Sequence, residues 1–371
     1  MKRRSSWVVA VCAATLLAGC GGQGAVDTPI GAGDPSAHVI DPSKQLDPAT
    51  VAAANDEGSV TVYGDAQNEI MQPMIAAFNN QFPDIDVSYV YLNPAESFQR
   101  YLSESSTGGQ TSDVILGTDG VSYLDLVKRG EVLDFTPPAA VGLPEYAKLA
   151  PGVFAVEENP AVGVFNKAVL PESEQPKSLA ELADMAESGP LKGKLVTYDG
   201  TSGFGYMVTQ TFVANHDNAW PLLEKLGQNS QTETSGGPMF SKLSQGAAVA
   251  SYFSSGAIRS VIKGATAQVL NLRLYADGTP FVPRGIGITA KGASPNAAKV
   301  FSNFMLTEQG QVAACKGGFT PYLAGVECDG FTVDEVTAEF GAENVYFTKW
   351  DDALVSSQTE IVSRWRAAFG K

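Results

Sequence analysis

Strand-like and helix-like runs alternate along most of this chain, and that alternation limits its fold more than any other feature. Val60-Thr61-Val62-Tyr63 is a short β-rich run ended by Gly64. Gln67 to Phe82 carries Ile70, Met74, Ala77, Phe78 and Phe82 at the spacing of one helix face, and Pro83 stops it. Ile85 to Leu92 is β-branched and aromatic, and Pro94-Ala95 opens a helix through Phe98, Tyr101 and Leu102. Asp113-Val114-Ile115-Leu116 is the next strand, closed by Gly117-Thr118-Asp119-Gly120. Tyr123, Leu124, Leu126 and Val127 mark another helix, stopped by Gly130. This repeat predicts a mostly parallel sheet with helices on both faces. Ligands of such sheets bind beyond the carboxyl ends of the strands. That rule points to Tyr63, Asp65, Thr118 and Asp119.

A Pro- and Ala-rich loop, 137–151, interrupts the series. Two short strand-like pieces follow at 154–156 and 162–165, and then the α/β pattern restarts. Ser178 with Glu181 three residues on predicts a capping box, and Leu195–Tyr198 a strand. Gly200-Thr201-Ser202-Gly203-Phe204-Gly205 reads as a loop opening into a helix from about Tyr206 to Ala214. Short helices are expected at 220–226 and 239–243, and strands at 247–253 and 269–274. Phe281 to Ile288 leads into a strong helix, Pro295 to Thr307, with Ala298, Phe301, Phe304 and Met305 on one face. Asp351 to Phe369 reads as one long helix. The two series, with strand-like crossovers near 153–166 and 275–290, fit two α/β lobes joined by a hinge.

Ahead of the first strand come Lys2, Arg3 and Arg4 and an apolar run from Trp7 to Ala18. The run is about a dozen residues, where a spanning helix needs ~20, so it reads as a secretory signal rather than an anchor. Its ending, Leu17-Ala18-Gly19-Cys20, resembles the lipobox of bacterial lipoproteins. The resemblance implies cleavage before Cys20, a lipid on that cysteine, and a place on the outer face of the cytoplasmic membrane. A plain secretory signal with a chance cysteine is the alternative. Residues 20–57, rich in Gly, Ala, Asp and Pro, read as a tether with room for a short helix near Pro48–Asn55.

Removing 1–19 from 371 residues leaves 352, enough for one large or two medium domains. The formal charge is −15, and loss of the three basic leader residues takes it to −18. Such a surface argues against binding nucleic acid or an anionic membrane face through charge. A local anion site remains open to it, because helix N-termini and hydroxyls hold anions without net charge. Of four cysteines, Cys12 leaves with the signal and Cys20 takes the lipid. Cys315 and Cys328 are then an even pair in an oxidising compartment, a disulfide candidate worth ~3 kcal/mol for a loop of about 14 residues. Two free thiols are the alternative. With only His38 and His216 and no Cys-x-x-Cys, no metal site or other cofactor is expected.

Several segments resemble the extracellular solute-binding proteins of ABC importers. The opening Ser59–Tyr63 with Phe82-Pro83-Asp84-Ile85-Asp86-Val87, then Thr111–Ile115, Val162–Asn166 and Pro176–Leu182, are similar to segments of that family. Gly278–Pro280 through Ala297–Phe301 and Gly310-Gln311 resemble its return strand and helix. The likeness covers about 59–325 and lies nearest the branch of ferric-iron and phosphorylated-compound or phosphonate binders. The Trp350 to Trp365 segment looks like that branch too. The resemblance implies a type II periplasmic-binding-protein fold whose lobes close on a small solute for a permease and its ATPase. The division expected is 58–160 plus 283–330 for lobe 1 and 161–282 for lobe 2. Residues 331–371 form a helical segment packing on both, in a monomer.

Ferric members use a pair of adjacent tyrosines, and this chain has no Tyr-Tyr; Tyr252 stands alone among hydroxyls. Thr201, Ser202 and Gly203, between a strand and a helix, look like a phosphate-holding loop, with Ser235-Gly236-Gly237-Pro238 as a second such turn. Arg284 on the return crossover is a candidate partner for an anion. Plain turns, a solvated arginine, core packing for Tyr63 and a helix cap for Asp119 are the competing readings. Fe(III) is the other ligand kept open. An exported hydrolase fits less well: the Gly-x-Ser-x-Gly motif is absent, and His216 would have to serve any triad. A sensor or adhesion lipoprotein on the same fold is a third reading. Gly285-x-Gly287-x-x-Ala290 imitates a dinucleotide fingerprint but follows Pro283 without a βαβ frame.

Overall fold

A computed structural model describes residues 45–201, 203–323, 326 and 331–371. The leader, Cys20, His38, Ser202 and Cys328 lie outside the described residues. The chain runs α1 (Pro48–Glu57), β1 (Ser59–Gly64), α2 (Asn68–Gln81), β2 (Asp86–Tyr91), α3 (Pro94–Ser106), β3 (Val114–Gly117) and α4 (Gly120–Lys128). After β4 (Lys148–Ala150) and β5 (Val153–Asn166) come α5 (Leu179–Ala186), β6 (Leu195–Tyr198), α6 (Gly203–Asn215), α7 (Ala219–Gly227) and β7 (Ser230–Glu233). Next are α8 (Gly236–Ser244), β8 (Ala250–Ser255), α9 (Ala265–Val269), β9 (Leu270–Arg273), β10 (Thr279–Ile288), α10 (Pro295–Leu306) and α11 (Glu308–Lys316). The C-terminal part is α12 (Val333–Phe340), β11 (Val345–Phe347), α13 (Asp352–Ser356) and α14 (Gln358–Ala368).

The strands pair in the order β2-β1-β3-β10-β5-β8-β6-β7, with β11 on β10 and β4 and β9 on β5. Parallel pairs β1–β2, β1–β3, β6–β7 and β6–β8 carry the α/β pattern. The antiparallel partners of β5 and β10 join the two sets. The two short pieces expected at 154–156 and 162–165 are one continuous strand, buried along all fourteen residues. Its first part, to Pro160, pairs with β10, and from Ala161 onward it pairs with β8. Pro160 has no N–H to give a ladder, so it is tolerated where the strand changes partner.

Local chemistry explains most starts and stops. Asn93 and Glu96 cap α3 reciprocally, satisfying N–H groups that would otherwise be orphaned. Ser178 caps α5 through the Glu181 N–H, but Glu181 reaches back to the Lys177 N–H instead, one residue short of a full capping box. The single helix expected over Asp351–Phe369 is two, α13 and α14, with Ser357 between them. Strands β7 and β11 and helix α12 are additions that the sequence pattern did not reveal. In the core Phe78 of α2 meets Phe301 and Phe304 of α10 edge-on at 5.2 and 5.4 Å, an arrangement favoured by ring quadrupoles.

Candidate functional site

A cavity of about 60 Å³ lies where the β1-β2-β3 set faces the β6-β7-β8 set. At roughly 10–15 Å³ per water centre it holds a few waters or a compact polar group. From the first set come Asp65, Gln67, Tyr91, Pro94 and Thr118, all at or beyond the carboxyl ends of β1, β2 and β3 or at the helix starts that follow. From the other set come Tyr198 at the end of β6, Phe204, Ser235, Gly236, and Ser254 and Ser255 at the end of β8. Met239, Phe240 and Leu243 of α8 supply apolar wall, and Arg284 of β10 the floor.

Arg284 is buried and ion-paired twice, to Asp65 through Nη1 and to Glu157 Oε1 through Nε at 2.7 Å. Asp65 Oδ2 also accepts from the Thr118 N–H at 2.8 Å and the Thr118 hydroxyl at 2.6 Å. The Phe319 ring lies 5.0 Å from the guanidinium carbon. Burial lowers the Arg284 pKa to about 9, which leaves the group protonated at neutral pH. Burial pushes the Glu157 and Glu158 carboxyls well up, and the charge of Glu158 adds to the rise at Glu157. Inside the protein the guanidinium thus meets Asp65 and the Glu157 carboxyl oxygen as its two acidic partners.

Two helices start at the cavity without a side-chain cap. Gln67 precedes α2 and Ser235 precedes α8, and neither side chain bonds to its own first turn. Their first-turn N–H groups keep their partial positive charge for whatever sits in front of them. A Cβ on Gly236 would lie 2.9 Å from Tyr198 Oη and 3.8 Å from Gln67 Nε2, so hydroxyl, amide and helix start converge on one spot. Burial raises the phenols of Tyr91 and Tyr198, and the Ser235 hydroxyl partly offsets the rise at Tyr91. Both stay neutral and able to donate. Phe253 adopts φ 56 where the β5–β8 register shifts, a left-handed setting that costs a non-glycine residue ~1 kcal/mol or more. The kink lies immediately before Ser254 and Ser255.

Of the residues singled out from sequence, Asp65, Thr118, Ser235 and Arg284 come together here. Tyr63 donates from Oη to Glu104 at 2.8 Å, beneath Arg100, and burial raises its pKa to about 12. Asp119 caps α4, accepting from the Ser122 N–H and hydroxyl. Thr201 turns back on Asp199 and lines a surface groove with Ser363 and Arg366 of α14. Gly203 starts α6 at φ 54 and abuts Pro94 of α3. Tyr252 is buried with its hydroxyl 3.0 Å from Ser230. The missed contributors are Gln67, Tyr91, Tyr198, Ser254 and Ser255. Tyr91 and Tyr198 end parallel strands, so the rule that selected Tyr63 and Thr118 also covers them. Among the described residues no cluster of His, Cys, Asp and Glu has metal-site geometry. No described helix is long and apolar enough to cross a membrane.

The sequence model of bacterial extracellular solute-binding proteins matches residues 63–312, two thirds of the chain, and the protein belongs to that family. No curated protein sequence matches the chain. Among solved structures it resembles the substrate-binding protein of an ABC transporter from Agrobacterium tumefaciens. The TM-score is 0.76 at 20% identity over 84% of this chain and 94% of that one. The periplasmic binding protein AfuA of Actinobacillus pleuropneumoniae, with fructose 6-phosphate bound, aligns at 0.67 and 18% over 85% and 99%. Iron-bound HitA of Pseudomonas aeruginosa aligns at 0.66 and 16% over 84% and 99%. At these identities the likeness establishes the two-lobed periplasmic-binding fold.

Proposed function

We propose that this chain is the extracytoplasmic receptor of an ABC importer, and that it holds a small anionic solute between two lobes. The lobes are the β1-β2-β3 and β6-β7-β8 sets, hinged at β5 and at the link between β9 and β10. The observation that carries the ligand class is the pair of uncapped helix starts, α2 and α8, on opposite sides of one cavity. With the hydroxyls of Tyr91, Tyr198, Ser235 and Ser254 they supply neutral donors to an oxyanion. Arg284 shapes the floor and is already engaged by Asp65 and Glu157. A phosphate ester or phosphonate suits this donor set better than Fe(III), because neutral phenols and amide hydrogens are donors and not hard anionic ligands. Among the described residues no nucleophile–base pair supports an enzymatic role. On this reading the mature chain is a monomer held at the membrane by lipid on Cys20. Cys315 is disulfide-bonded, and Cys328 is the partner we propose for it.

Calorimetric titration with inorganic phosphate, fructose 6-phosphate, a neutral hexose and ferric citrate tests the ligand class. A phosphate or its ester binds, and Gly236→Val lowers that affinity about tenfold or more, at ~1.4 kcal/mol per tenfold. Binding of the hexose or ferric ion alone would overturn the anion reading. Mass analysis of the mature N-terminus tests the lipid, and C20A should move the protein from the membrane fraction to the medium or periplasm.

A further inference from the structure

The C-terminal segment runs from the hinge across both halves of the molecule. Strand β11 adds to β10 at Thr279–Phe281, and Thr348 continues it, with its N–H donating to the Phe281 carbonyl at 3.0 Å. The Thr348 hydroxyl also meets the Thr211 hydroxyl of α6 at 2.6 Å. Trp350 then inserts at a three-way junction. A Cβ on Gly120, the first residue of α4, would lie 2.8 Å from Trp350 Cε2 and 2.8 Å from Met207 Cε of α6. A Cβ on Gly285, next to Arg284, would lie 2.8 Å from Trp350 Cη2. The same ring lies 5.3 Å from Tyr123 of α4. Beyond it the Leu354 carbonyl accepts from Tyr206 of α6 at 2.5 Å, and Trp365 of α14 packs on Gly200.

We propose that Trp350 is a positioning residue, wedged between α4 of one lobe and α6 of the other, that sets the resting angle of the cleft. The inference rests on the two-lobed reading above. Two glycine surfaces meet one flat ring, with Met207 of α6 closing on the same face of Gly120, and bulk at either glycine would push the lobes apart or the tail out. The glycines it packs on, Gly120 and Gly285, stand two residues after Thr118 and next to Arg284, so its seat bears on the cavity floor. Its indole Nε1 is buried without an acceptor among the described residues. An orphaned donor costs stability, so the position is held by the shape of the ring and not by its hydrogen bond. The conservative change W350F therefore keeps the function, and W350A loses it.

The test needs no ligand, so it stands apart from the solute-binding question. Spin labels on Ser106→Cys and Ser241→Cys, exposed positions on α3 and α8, report the distance between the lobes by pulsed electron resonance. Wild type and W350F should give one narrow distance. W350A should give a broadened distribution reaching longer distances, with far-ultraviolet dichroism unchanged. If W350A does not fold, W350L carries the same expectation. A W350A or W350L distribution matching wild type would overturn the proposal, as would a W350F distribution as broad as theirs. Failure of wild type to bind any solute would sink the receptor reading and leave this measurement intact.

Discussion

At Arg284 the competition between charge and burial decides the role of the side chain. A guanidinium on a crossover strand is legible in sequence as an anion partner, because the residue and its neighbourhood suggest a cleft. The two acidic partners that engage it are Asp65 and Glu157, far away in the chain, and no local pattern announces them. Removing one member of a buried pair strands the others, so R284M should lower unfolding stability by ~3–5 kcal/mol in urea titrations. A loss under 1 kcal/mol would mean that the triad is solvated. Glu158 gives a pH-dependent prediction. Its carboxyl is pushed up by burial, so the folded protein holds its proton more tightly than the unfolded chain does. Its contribution is therefore fully present below the ordinary carboxyl range and is lost as pH rises through the raised folded value. E158Q, which cannot ionise, should gain on wild type from pH 5 to pH 8, by up to ~1.4 kcal/mol per pH unit while one proton separates the two states. A stability difference that stays flat across that range would refute the assignment. Asp119 shows the opposite lesson: its cap bonds to Ser122 were a reading already open in sequence.

Among the elements, strands and helices with strong local signals were legible and those made by tertiary context were not. Strand β1, helix α2 and helix α10 lie within a residue or two of their expected ends, because periodicity, Pro83 and Pro295 mark them. Strand β7, Ser-Gln-Thr-Glu, has no apolar alternation and exists because β6 offers it a parallel edge. The loop holding Thr201 looked like an anion cradle, yet the Asp199 side chain takes both its N–H and its hydroxyl. From that half of the molecule the uncapped helix start at the cavity is instead α8, whose Gly236-Gly237-Pro238 opening looked like a lesser turn. Gly203, at the start of α6, makes a testable contact between elements. Its φ is 54, and a Cβ there would lie 2.9 Å from Pro94 Cβ on α3. G203A should cost ~1–2 kcal/mol for the left-handed backbone alone. It should also weaken solute binding by separating α3 from α6, seen as a lower affinity for the same phosphate ester in calorimetry. Unchanged affinity in a folded G203A protein would show that this contact plays no part in closure.

For the whole molecule, the sign of its charge collides with the sign of the proposed ligand. Without its leader the chain carries −18, and Asp65 and Glu157 surround the one arginine in the cavity. Long-range fields from such a surface repel an anion approaching from solution. The uncapped helix starts act only within about a turn, so they attract the anion after it has arrived. Capture and holding thus oppose each other, and salt separates them. The screening length falls from ~30 Å at 10 mM to ~8 Å at 150 mM ionic strength, which removes the distant repulsion and leaves contacts inside the cavity nearly untouched. Stopped-flow association of fructose 6-phosphate should therefore speed up with added salt over that range, while its dissociation rate changes little. A neutral hexose, if it binds, should show no such dependence. A rate that falls with salt would mean that the approach to the cleft is locally positive and that basic residues outside the cavity steer the solute. Rates independent of salt, for a ligand shown to be anionic, would place the acidic surface on the far side of both lobes from the cleft mouth.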